Sequence, residues 1–121
     1  MRTPRWLHAL RQIDFARRWR DGRERMLPRW RTAILDADVL PADLPKRRLL
    51  VARDGDEWWS AGMRCPCGCG ELIELPLIAE ADQHWTLVVD RLGHPTLSPS
   101  VWRKTGCRSH FWLRGGRVRW C

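Results

Sequence analysis

"SHFWLRGGRVRW", residues 109–120, is the stretch whose reading decides the fold. Phe111 and Leu113 alternate on one side of Gly115-Gly116, and Val118 and Trp120 on the other. A two-residue turn that matches the twist of its strands needs positive φ at its central positions, which glycine reaches at little steric cost. The stretch therefore predicts a β-hairpin turning at Gly115-Gly116, and no continuous helix within 84–120.

Period-two patterning continues outward from that hairpin. "HPTLSPSVW" (94–102) is extended but interrupted by prolines, which places it at an edge or in a loop. "HWTLVVD" (84–90), "ELIELPLI" (71–78), "EWWSAGMRC" (57–65) and "RRLLVAR" (47–53) read as further strands, the last two joined by a "DGD" turn. "LPADLP" (40–45), with two prolines in six residues, reads as a connector. Upstream of it the pattern is helical. Thr3 and Pro4 form a cap and first turn, and Trp6, Leu7, Leu10, Ile13 and Ala16 recur near helical spacing. Asp21-Gly22 reads as the stop signal, and a second, shorter helix is expected over about 29–36 after Pro28. The expected class is α+β: a basic helical N-terminal segment, residues 1–45, followed by a small antiparallel, zinc-stapled β domain, residues 46–121.

A chain of 121 residues supports one modest core. No apolar run approaches the roughly 20 residues of a membrane span, and the N-terminus lacks the apolar stretch of a secretory signal. The expectation is a cytoplasmic protein with no membrane partner, in a reducing compartment where clustered thiols bind metal. The net charge of +8 is uneven: residues 1–31 hold ten arginines against Asp14, Asp21 and Glu24. Such a segment is either the solvated face of a helix or a docking surface. Nucleic-acid binding would show as a basic stripe interleaved with exposed aromatics such as Trp6 and Trp19. Both tryptophans are expected to be mostly buried.

The chemistry sits in "CPCGCG" (65–70) and, thirty-seven residues on, in Cys107-Arg-Ser-His110. Three thiols on alternate positions among glycines point to a metal, not to disulfides, whose geometry such near neighbours seldom reach. Two ligand sets close a tetrahedron for structural Zn2+: Cys65, Cys67, Cys69 and Cys107, or two thiols of the first loop with Cys107 and His110. Cys121 reads as a bystander. His8, His84 and His94 read as structural.

The blocks "MRCPCGCGELIELPL", "PTLSPSVW" and "GCRSHFWLRGGRVRW" resemble, in order, a family of small bacterial proteins long known only as a domain of unknown function. The resemblance covers about residues 48–120. Members of that family look like zinc-containing serine peptidases, found in operons with ubiquitin-like modifiers and E1-like and E2-like enzymes. The resemblance thus implies a bacterial hydrolase that processes or deconjugates a ubiquitin-like protein, with E1-like or E2-like enzymes as further partners and a place in antiviral defence. On the matching positions it implies His110 as base, Ser100 or Ser98 as nucleophile, and by analogy Asp90 as the carboxylate behind the base. Ser109 is expected to fail as nucleophile, because adjacent strand residues face opposite ways. Two other classes stay open: a zinc-stapled binding module without turnover, and a nucleic-acid binder working through the basic N-terminus. The position of His110 separates the first two, since a histidine that ligates the metal is lost as a base.

Overall fold

The structure is a computed structural model that describes the backbone from Arg5 to Cys121 and the side chains from Phe15 onward. The Thr3-Pro4 cap and the side chains of Trp6, Leu7, His8, Leu10 and Ile13 lie outside the described residues. Among the described residues one helix, α1 (Arg5–Met26), is followed by nine strands. It runs past Gly22, where the sequence predicts a stop. An exposed helical glycine costs only about 1 kcal/mol, and the turn beyond it is held by tertiary contacts. Glu24, buried to 6% exposure, receives two guanidinium hydrogen bonds from Arg47, at 2.9 and 2.7 Å, and one from the Val118 N–H at 3.2 Å. Arg117 donates to the Glu24 carbonyl at 2.7 Å. The helix ends where Pro28 can no longer continue it.

The predicted second helix is instead a strand, β1 (Arg31–Asp36). Trp30 anchors its start at 1% exposure, and Thr32 and Ile34 suit a pleated surface better than a helix. Strand β1 pairs in parallel with β2 (Arg48–Asp54), Ile34 opposite Val51, the connector 37–47 carrying the chain back. This is the one departure from an antiparallel β architecture. Strands β2, β3 (Glu57–Arg64) and β4 (Leu72–Pro76) complete the first sheet as an antiparallel meander. A second sheet pairs β5 (Thr86–Val89) with β6 (Pro95–Ser98), and a third runs β7 (Val101–Trp102), β8 (His110–Arg114), β9 (Arg117–Trp120).

The hairpin of β8 and β9 turns at Gly115-Gly116, with φ of 54° and 78°. Gly116 is needed for a second reason: a Cβ there would lie 2.7 Å from the Trp30 carbonyl oxygen. All three sheets contribute to a single core. Leu49, Ala61, Met63, Ile73 and Leu75 come from the first, Leu97 from the second, and Val101, Phe111, Leu113 and Val118 from the third. The molecule is α+β, as its sequence pattern predicts. No helix among the described residues is long and apolar enough to cross a membrane.

Candidate metal centre and serine–histidine pair

Two hairpin loops build the candidate metal centre. The first, between β3 and β4, is the cysteine turn itself, closed by the Cys65 N–H donating to the Glu71 carbonyl at 2.8 Å. Gly68, with φ of 91°, turns the loop back, and the Cys69 N–H points at Cys67 Sγ at 3.4 Å. The second, between β7 and β8, presents Cys107. Arg103 and Glu71 form a salt bridge between the two loops.

The Sγ atoms of Cys65, Cys67, Cys69 and Cys107 all lie within 4.8 Å of one another. Cys65 Sγ is 3.3 Å from Cys67 Sγ and 3.6 Å from Cys107 Sγ. A tetrahedron with metal–sulfur bonds of about 2.3 Å has sulfur–sulfur edges of about 3.8 Å, so the thiols fit a metal ion. Cys121 lies outside the cluster. The thiols differ in acidity. Burial pushes Cys65 up to about 12. The Ser109 hydroxyl, the largest cause, draws Cys107 down to about 6. Four thiolates crowded this closely repel one another, and a dication removes that repulsion.

Ser109 is buried, its Oγ 3.2 Å from Cys107 Sγ and 3.6 Å from Cys65 Sγ. It therefore belongs to the thiol cluster. His110, the next residue, faces the other way. Its Nε2 lies 2.9 Å from Ser100 Oγ. Strand register makes this meeting: Val101 pairs with Phe111 and Trp102 with His110. Val101 and Phe111 point into the core, so Ser100, Trp102 and His110 share the outer face, and Ser100 reaches His110 on the diagonal.

Two tryptophans support the pair, and sequence reasoning singled out neither. Trp102 stacks on the His110 ring, centroids 5.1 Å apart and planes 17° apart. The Trp85 indole N–H donates to the Ser100 carbonyl at 3.4 Å. Alternation of Trp102 with Ser100 was the available signal for the first. Nothing local marks the second.

The other proposed site residues are elsewhere. Ser98 is exposed on β6, opposite Thr86. Asp90 caps the β5–β6 turn: its Oδ1 accepts the N–H groups of Leu92 and His94, both at 2.9 Å, and its Oδ2 lies 3.3 Å from His94 Nδ1. Those bonds, the His94 N–H foremost, hold its carboxyl below the usual range. The structure does not bring Asp90 to His110. His84 is exposed, with Nδ1 3.2 Å from the Ala81 carbonyl. Trp19, expected to be buried, is 59% exposed; α1 presents it to solvent with the Arg23 guanidinium over its ring at 5.8 Å.

Comparison with protein families matches residues 36–121 to BubE, described as bacterial ubiquitination-like system serine protease. No curated protein and no solved structure matches the chain.

Proposed function

Since the chain belongs to the BubE family of serine proteases of bacterial ubiquitination-like systems, we propose that it cleaves at the C-terminus of a ubiquitin-like protein, with Ser100 as nucleophile and His110 as base. One observation carries this reading: His110 Nε2 is 2.9 Å from Ser100 Oγ, while four thiols gather without the histidine. Zn2+ is the ion proposed for those thiols. With four protein ligands it keeps no open position, so its role is to hold the two loops together.

The pair works as follows. With its proton on Nδ1, His110 accepts the Ser100 hydroxyl hydrogen at Nε2 as Oγ attacks the scissile carbonyl. The same nitrogen returns the proton to the departing group, leaving an acyl-enzyme on Ser100. Water, deprotonated by His110, then releases the carboxylate and regenerates Ser100. Trp102 fixes the ring plane by stacking, a task that a carboxylate performs in a triad. Asp90 plays no part in this scheme, nor does Ser98.

The test is cleavage of a ubiquitin-like precursor by the zinc-loaded protein, followed by mass spectrometry. Loss of a general base costs about 10²–10⁴ in rate. Ser100→Ala and His110→Ala are each expected to lose at least that much while keeping the parent's metal content, and Ser98→Ala to cleave as the parent does. Parent-like cleavage by Ser100→Ala overturns the assignment. Loss of metal in His110→Ala makes the histidine a ligand and favours a binding module instead.

A further inference from the structure

A groove of about 650 Å³ lies between α1 and the cysteine turn, lined by Trp19, Arg20 and Arg23 on the helix side and by Lys46, Arg64 and Trp120 among the residues facing them. We propose that this groove docks an acidic segment of a protein partner, at a surface separate from Ser100 and His110. The inference rests on membership of a ubiquitination-like system, whose partners are proteins, and not on the chemistry of the serine.

The charge balance of the groove comes first. Among the described residues its one carboxylate, Glu24, is spent on Arg47 and on the Val118 N–H. Arg64 pairs with Asp43. Arg20, Arg23 and Lys46 form no ion pair with a described residue. Three cations thus converge on one concavity whose carboxylate is already taken and whose other anionic groups, the Cys65 and Cys67 sulfurs, are those proposed to hold the metal, and guanidinium forks suit carboxylates.

Shape and location narrow the occupant. The cations stand on both walls of a short concavity and not in a stripe that could track a nucleic-acid backbone. Each flanking indole already carries a guanidinium on a face: Arg20 is 4.6 Å from the Trp120 ring and Arg23 is 5.8 Å from that of Trp19. Those faces are closed to stacking bases. Trp120 pairs with Phe111 and so lies on the inner side of its sheet, whereas His110 is on the outer side. A segment seated here leaves the nucleophile open.

The experiment measures binding alone, using the full-length, metal-loaded Ser100→Ala protein, so that failure of the catalytic assignment does not affect it. A fluorescein-labelled glutamate-rich peptide is titrated by anisotropy beside its glutamine analogue and an oligothymidylate of equal charge. Arg20→Glu with Arg23→Glu is compared with Arg17→Glu with Arg18→Glu, exposed helix positions that do not line the groove. The net charge change is identical. The groove pair is expected to weaken the peptide by about tenfold and the control pair far less, with binding falling as salt rises. Lys46→Glu, on the opposite wall, repeats the effect without touching α1. The proposal is overturned if both arginine pairs weaken binding equally, if the glutamine peptide binds as well, if the oligothymidylate binds more tightly, or if Lys46→Glu is silent.

Discussion

Ser109→Ala tests whether the metal centre depends on a residue that is not a ligand. The serine is buried, and its hydroxyl faces Cys107 Sγ at 3.2 Å and Cys65 Sγ at 3.6 Å. One hydrogen can serve only one thiolate at a time, and Cys107 is the nearer. A hydrogen bond to a charged acceptor contributes about 1.5–3 kcal/mol. A soft sulfur at this distance belongs at the low end, so roughly 1.5 kcal/mol, or about a tenfold loss of metal affinity, is expected; residues behind metal ligands commonly contribute about 10–100-fold. Alanine removes one oxygen and leaves the backbone unstrained, so the fold should persist. Affinity would be read by competition against chelators of graded strength. The rate of Cys107 alkylation in the metal-free protein gives a second readout. With the hydroxyl present the thiolate persists down to about pH 6; without it, reactivity should appear only at higher pH. Parent-like metal affinity together with an unmoved alkylation profile would refute the reasoning.

Two further outcomes concern the frame. Glu24→Gln places a buried amide against the half-buried Arg47 guanidinium, and breaking such a pair should cost about 3 kcal/mol, measured as a lower urea midpoint; a variant as stable as the parent sinks the view that this carboxylate docks α1. Gly116→Ala should cost about 2–3 kcal/mol, because the new Cβ meets the Trp30 carbonyl at 2.7 Å in a backbone of φ 78°. Gly115→Ala, whose nearest neighbour is the Arg29 guanidinium at 3.6 Å, should cost only about 1 kcal/mol, and equal losses at the two positions would show that the close approach does not matter.

Legibility in the sequence followed the range of the interaction. The final hairpin and the cysteine turn were readable because glycine and thiol spacing act within a few residues. Ser100 and His110 were readable as candidates, since their blocks are distinctive, but their meeting depends on a β7 of two residues, too short for any periodicity. Strand β1 escapes a local reading because its pairing partner lies across a connector, and parallel pairing leaves no turn signal. Glu24 lies beyond the helix stop that Asp21-Gly22 predicts and carries no local mark of burial; only its distant partners Arg47 and Val118 explain it. Asp90 enters as an orienting carboxylate by analogy only, yet backbone N–H groups two and four residues on in the same turn claim it, as short acidic side chains in turns usually allow.

Ser109 and His110 are consecutive, yet one faces the thiols and the other the Ser100 hydroxyl. Strand β8 thus has a phase, and the two ligand sets open to the sequence differ by that phase. Sliding β8 one position past β7 would turn its faces over, sending His110 toward the sulfurs and Ser109 toward solvent. An ion held by the four thiolates would forbid the slide by fixing Cys107 at the mouth of the loop. In that sense the proposed metal would act as a ratchet tooth: without touching a reacting carbonyl, it would decide which of two adjacent side chains stands beside Ser100.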